Sequence, residues 1–457
     1  MRRYIDRLRK MIYVLAIVAL ILGGSASGQS AGPRAKNVIL MISDGCGYNH
    51  VDAASIYQYG KTGVQPYEQF PVKLAMSTYL DGQSYEPAKA WSDFKYVSKS
   101  KSFTDSAAAA TAMSAGVKTY KGAIGLDPDK KPVKHAIEFA EQRGKATGVV
   151  TSVQFSHATP AGFVAHNKSR DNYDEIAAEM IYRSPLEVIM GCGHPEYDDN
   201  GAPVKVIMEY KYVGGKDAWE DLKDGSAIGA DADGDGTPDK WTVIHEPGEF
   251  RKLMSGPTPK RVIAIPKKHK TLEQERGGKG KAAPFEVPFN GDVPTLAEMA
   301  AGALNVLDND PDGFFLMIEG GAIDWASHDN QLGRVIEEEI EFSKAVEAVI
   351  KWIETESSWQ ETLLIVTADH ECGYLTGPDS GTSDGKGVWN PITNNGKGKA
   401  PRMEYHSDDH TNSLVPFYAK GVGSQLFVKQ ARHNDPVRGP YIDNTSIAKV
   451  IFYLFEH

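Results

Sequence analysis

Cysteine is scarce: the 457 residues hold three, Cys46, Cys192 and Cys372. Three thiols cannot staple a fold, and the odd count leaves at least one unpaired. Cys46 stands two residues after Asp44, and Cys372 two after His370. A Cys46–Cys372 pair is therefore expected if Asp44 and His370 share a site. Positive charge is also in short supply. The formal net charge is −10, which removes the electrostatic case for a nucleic-acid-binding platform. Long apolar runs are missing except near the N-terminus. There, residues 11–22 are apolar and follow Arg2, Arg3, Arg7, Arg9 and Lys10, and GGSASGQSAG then supplies small residues, with cleavage expected near residues 26–28. That order of charge, apolar run and small residues predicts a secretory signal peptide over 1–28. The run is short for a membrane span, so no stable anchor is expected after cleavage. The mature chain is expected to be secreted or periplasmic.

With 41% hydrophobic residues, the chain can bury a large core. Six apolar runs read as buried strands of a parallel sheet: NVILMIS (37–43), ATGVVTS (146–152), LEVIMG (186–191), GFFLMIEG (313–320), TLLIVTAD (362–369) and VPFYAKG (415–421). Between them lie helical patterns. KHAIEFAEQRG (134–144) ends on a glycine suited to a C-cap, and Thr295 with Glu298 has capping-box spacing. Residues 331–356 form one long amphipathic pattern. The alternation predicts an α/β fold, a mostly parallel central sheet with helices on both faces. Two polar, turn-rich stretches, 195–290 and 376–406, read as insertions on its rim.

Several strand runs end in acidic residues. NVILMIS leads into Asp44, GFFLMI into Glu319, and TLLIVTA into Asp369 and His370. Ligands of α/β sheets sit beyond the carboxyl ends of strands, so one rim collects these carboxylates. Asp324 and His328 in EGGAIDWASHDN are four apart, on one face of a helical turn. Asp and His together suit zinc. His410 lies in a polar loop before a strand. In FTDSAAAATA (103–112), Asp105 and Ser106 open a helical run. An N-cap explains that placement. A nucleophile explains it too, because a helix N-terminus favours an alkoxide and a bound anion.

The motifs TDSAAAATAMSAGVKTYKGAIG, HATPAGFVAHNKSR, IEGGAIDWASH and TADHE, in that order, closely resemble the alkaline phosphatases. The resemblance covers residues 36–455 and is weak only in the two insertions. It implies hydrolysis of phosphate monoesters at a site of two zinc ions and a magnesium ion. Ser106 would be the nucleophile that becomes phosphorylated. Asp324, His328 and His410 would hold one zinc, and Asp44, Asp369 and His370 the other. Asp44 would also reach the magnesium, held with Thr159 and Glu319. Arg170 matches the arginine that clamps phosphate, and Asp105 the residue that positions it. His157 stands near the third metal where the best-known enterobacterial form has an aspartate. Trp325 stands near the phosphate where that form has a lysine. These two departures put the third metal's identity in question, not the reaction class. The resemblance also implies a homodimer, with the 376–406 insertion acting as a crown near its interface.

Within the first insertion, Asp231, Asp233 and Asp235 alternate, Gly236 allows a sharp turn, and Asp239 follows. This resembles the start of an EF-hand-type calcium loop, although Thr242 stands where the glutamate of the full motif belongs. A calcium ion and a plain acidic turn both fit the spacing. Two rival functions remain at this level: a related phosphodiesterase or sulfatase, and a non-catalytic metal- or phosphate-binding surface protein.

Overall fold

The computed structural model describes residues 32–99, 103–207, 209–232 and 234–456. The expected signal peptide and Asp233 lie outside the described residues. Eleven strands make one sheet: β1 (Asn37–Ser43), β2 (Val72–Ser77), β3 (Ala146–Gln154), β4 (Val188–Cys192), β5 (Thr242–Ile244), β6 (Val262–Ala264), β7 (Phe314–Gly320), β8 (Thr362–Thr367), β9 (Val415–Gly421), β10 (His433–Asp435) and β11 (Gly439–Asp443). Their spatial order is β10-β11-β2-β9-β8-β1-β7-β3-β4-β6-β5. From β8 to β5 every neighbour is parallel. β1, β3, β7 and β8 are buried along their whole length. Helices on both faces leave no solvent side, so these strands read as unbroken apolar runs instead of alternating ones.

One face carries the helices Tyr48–Tyr59, Leu296–Leu307 and Leu332–Glu356, packed on one another. The other carries Ser106–Ala115, Ala136–Glu141, Ala158–Val164 and Ser446–Glu456. The Thr295 capping box forms: Thr295 Oγ1 accepts from the Glu298 amide at 3.1 Å, and Glu298 Oε2 from the Thr295 amide at 3.0 Å. Each satisfies an amide that the first helical turn leaves without a partner.

Two expectations need correction. The 415–421 strand runs antiparallel to both of its neighbours, β8 and β2, so this end of the sheet is mixed. An apolar run records burial and not direction. The stretch 195–290 also extends the main sheet, because β5 and β6 add to its edge in parallel. At three residues each, they are too short to leave a periodic signal.

Candidate active site

The parallel strands end on one rim, and the candidate residues project from it. β1 ends at Ser43, so Asp44 follows immediately. Gly45 then turns the chain at φ +72, and a side chain there would clash: an added Cβ would lie 2.7 Å from Asp324 Cα. Glycine is required for the left-handed turn and for the close approach. Glu319 lies inside β7, beside Ile42 of β1 and Thr151 of β3. The helix Ala322–His328 presents Asp324 and His328 one turn apart. Asp369 and His370 follow β8. A two-residue ribbon then pairs Cys372 with His410 and Glu371 with Thr411, which draws the 410 loop over the rim.

Three donor groups result on this rim. In the first, His328 Nε2 and His410 Nε2 each lie 3.4 Å from an oxygen of Asp324 and 3.0 Å from each other. His328 Nδ1 faces the Asp408 carbonyl at 2.6 Å, and His410 Nδ1 the Thr104 carbonyl at 2.9 Å. A carbonyl only accepts, so each ring keeps a proton on Nδ1, and each Nε2 is the nitrogen that can give up its proton and turn a lone pair to a metal at one shared point. In the second group, His370 Nε2 lies 3.4 Å from Asp44 Oδ1, 3.1 Å from Asp369 Oδ2 and 3.3 Å from Ser106 Oγ. Asp44 also converges with His157 and Glu319 in a third donor group. Thr151 Oγ1 donates to Glu319. Glu319 Oε1, Thr159 Oγ1, both Asp44 oxygens and Asp369 Oδ2 are buried without hydrogen-bond partners.

The carboxylates among these orphaned atoms crowd like charge together. Burial, then Asp369, Asp324 and Glu319, push Asp44 well above the usual carboxylate range. Burial, then Asp324, raises Asp369 to about 6, and burial raises Glu319 to about 7. Around Asp324 the balance reverses. Burial raises its pKa, but His410 and His328 outweigh burial and hold it far below the ordinary value. His410 is lowered by burial and raised further by Asp324, to about 9. A set of buried Asp, Glu and His donors with free lone pairs fits divalent metals: mixed Asp/His for zinc, and oxygen-rich Asp44, Glu319 and Thr159 for a harder ion.

Ser106 is the first residue of its helix, and Asp105 is the N-cap, accepting from the Ala108 amide at 3.1 Å. The cap and the candidate nucleophile of the opening motif are thus two adjacent residues. Asp105 also accepts from the Gly122 amide at 3.1 Å and from Arg170 Nη1 at 3.1 Å. Arg170 Nη2 lies 3.2 Å from His157 Nε2. Burial, then the nearby Arg170 cation, lowers His157 to about 3, so it stays neutral and accepts. An open polar cleft of about 630 Å³ has Ser106, Arg170, Asp324, Trp325 and His410 in its wall. Trp325 meets His157 edge-on at 5.5 Å.

The family model for alkaline phosphatase matches residues 35–437. This chain belongs to the alkaline phosphatase family. It is 28% identical to alkaline phosphatase 4 of Bacillus subtilis, covering 99% of this chain and 97% of that one. It is 33% identical to alkaline phosphatase 3 of the same organism over 75% of this chain. That second match spans 63% of the relative's length. Among solved structures, the alkaline phosphatase of the Antarctic bacterium TAB5 shares the fold, with a TM-score of 0.63 and 24% identity over 93% of this chain and 98% of that one.

In this chain all three cysteines are free and buried, so the expected Cys46–Cys372 pair does not form. Cys46 Sγ lies 3.4 Å from Glu339 Oε2, whereas Cys372 joins the group of Asp324, His328 and His410. Several residues that went unnoticed in the sequence belong to the cleft, Lys121 and Gly122 among them. Lys121 lines it, and Gly122 ties Asp105 to Arg170 through its amide and its carbonyl. Their one local signal is their place just after the Ser106 helix. The calcium-like loop is engaged internally: Asp231 accepts from the Gly234 and Gly236 amides at 2.9 and 2.8 Å, and Asp239 pairs with Lys260 at 2.9 Å. No helix among the described residues is long and apolar enough to cross a membrane.

Proposed function

We propose that this chain hydrolyses phosphate monoesters to an alcohol and inorganic phosphate through a phosphorylated Ser106. The observation that carries this is one cleft in which Ser106 Oγ, at a helix N-terminus, lies 3.3 Å from His370 Nε2 and shares its walls with Arg170 and Asp324. Asp324, His328 and His410 would hold one zinc, and Asp44, Asp369 and His370 a second. Asp44, Glu319 and Thr159, with His157 beside them, would hold a third ion, magnesium by family habit. When bound, the zinc ions supply Lewis-acid stabilisation of the attacking and leaving oxygens.

The chain's own residues supply the rest. The Ser106 hydroxyl attacks phosphorus in line, and the helix amides behind it favour the negative charge that develops. Arg170 offers two parallel N–H donors to non-bridging oxygens, because its fork matches phosphate. Asp105 on one side and His157 on the other hold that fork in place, so little side-chain entropy remains to be lost on binding. The open cleft grips the phosphoryl group and leaves the alcohol side broad, which favours many small monoesters over one.

His157 bears on the third ion. A variant of the TAB5 enzyme with a histidine replaced by glutamate was solved with Mg bound in its M3 site. A neutral imidazole is a softer donor than a carboxylate, which supports weaker magnesium binding here than at an all-oxygen site. Secretion follows from the charged and apolar N-terminal pattern, and homodimer formation from the family resemblance. A calcium ion at the 231–239 loop would have to displace Lys260 from Asp239. Removal of Lys260 raising calcium affinity would support that site.

A related diesterase or sulfatase, and a non-catalytic binding protein, are the rivals. Purified protein assayed on an aryl phosphate at alkaline pH, as isolated, after chelation and after return of zinc and magnesium, separates them. Activity that chelation abolishes and metals restore is expected. Turnover of a diester or sulfate ester in preference would sink the monoesterase reading, and tight phosphate binding without turnover would favour the binding protein.

A further inference from the structure

Cys372 has no place in the reaction as described, yet its donor atom lies within 4.8 Å of those of Asp324, His328 and His410. The backbone puts it there. Its amide donates to the Gly45 carbonyl at 2.9 Å, and its strand partner is His410. Its sulfur and an Asp324 carboxylate oxygen are thus neighbours within that group. Asp324 is 5% exposed, and its Oδ1 lacks a hydrogen-bond partner. Gly45 also packs against this carboxylate, where even a methyl group would lie 2.8 Å from Oδ1.

Once His328 and His410 turn their Nε2 lone pairs to a metal, neither can donate to Asp324, because their protons sit on Nδ1 and face carbonyls. A ligating carboxylate is ordinarily held by its own hydrogen bond. A sulfur ligand in addition to Asp324 and two histidines would complete a tetrahedral protein set and close the position that a reacting zinc site keeps open. We propose that Cys372 is a positioning residue for this zinc site: its S–H donates to Asp324 and fixes the carboxylate's orientation toward the metal. The proposal rests on the metallophosphatase reading above.

The test compares zinc affinity of the full-length protein, by competition with a chelator, for wild type, Cys372→Ala and Cys372→Ser. Cys372→Ala weakens one zinc by about 10- to 100-fold and leaves the other unchanged. Cys372→Ser keeps a donor in place and stays within about 3-fold of wild type, the margin left by an intact hydrogen bond. Wild-type affinity in Cys372→Ala would overturn the proposal. So would a loss in Cys372→Ser equal to that in Cys372→Ala, since size and not hydrogen bonding would then be at issue. Cobalt substitution adds a spectroscopic readout. A near-ultraviolet thiolate-to-cobalt band in wild type that Cys372→Ser abolishes would make Cys372 a direct ligand and refute the positioning role. A wild type that binds no zinc would bring down the metal-site reading itself, a result distinct from any difference between variants. Thermal unfolding of the metal-free variants confirms that each is folded, and Cys372→Ser keeps the test decisive if Cys372→Ala is not.

Discussion

Around Asp324, two histidines face one carboxylate. Around Asp44, the neighbours are Asp369 and Glu319, while His370 and His157 are both driven toward the neutral form by burial. The first group comes close to balancing its own charge. The second cannot, and every acid in it is pushed upward. Two candidate ligand sets built from similar residues, side by side on one rim, would thus depend on a cation to different degrees. Like charges buried together are costly unless a counter-ion or a proton arrives.

Ser106 borders the His370 side of this divide, and its removal gives the largest expected effect. Ser106→Ala should cut turnover by about 10⁴-fold or more and abolish phosphoserine, while metal content by elemental analysis stays at the wild-type level. Normal turnover would end the covalent mechanism. Metal loss instead would mean that the two groups depend on the serine hydroxyl. Next come paired substitutions in metal-free protein, where opposite signs are expected. Asp44→Asn removes one of several like charges and should raise the unfolding free energy by on the order of 1–3 kcal/mol. Asp324→Asn strips the partner from two histidines and should lower it by a similar amount. Equal signs in a denaturant titration would erase the contrast.

pH sharpens the same comparison. The folded pKa values of Asp369, about 6, and Glu319, about 7, exceed their ordinary values of 3.8 and 4.5. Their contribution is fully present below pH 4 and is lost as pH rises through those folded values. His410, raised from 6.5 to about 9, stabilises below its ordinary value and loses that contribution as pH rises through 9. Asp324, held low, acts oppositely and contributes above the ordinary carboxylate range. These groups withdraw stability from the metal-free protein between about pH 4 and 9, whereas His157 and His370, held neutral by burial, add stability as pH rises toward 6.5; the net loss is therefore expected above about pH 6.5, and zinc should flatten it. A metal-free profile already flat over that range would show that the crowded acids are relieved in some other way. The smallest effect concerns His157. His157→Asp adds an oxygen donor beside Asp44 and Glu319 and should tighten magnesium activation by several-fold. An unchanged magnesium titration would remove His157 from the third site.

Most of the rim was legible before any coordinates. Asp44, Glu319 and Asp369 end or follow long apolar strands, and the α/β rule alone sends such residues to one edge. Asp324 and His328 were tied together by helical spacing. His410, Arg170 and Thr159 were recognisable only through the family resemblance, since each is an isolated residue in a loop or short helix. Other features left no mark in the chain: the three-residue strands β5 and β6, the reversed direction of β9, and the company that Cys372 keeps. Two cysteines that follow Asp44 and His370 by the same interval suggest a pair, yet Cys46 turns to Glu339 while Cys372 joins the group of Asp324, His328 and His410.

The division has a physical cause. Apolar runs, helical periodicity, caps and the Asp105–Ser106 start are local, because burial and backbone hydrogen bonding act on neighbouring residues; the sequence by itself determined the α/β class, the rim and the place of Ser106 at a helix start. Charge balance is not local. Which carboxylates are relieved and which are crowded depends on residues hundreds of positions apart meeting in a dry site. Only the tertiary structure decided that Asp324 would be paired, that Asp44 would not, and that a thiol would stand beside the first of them.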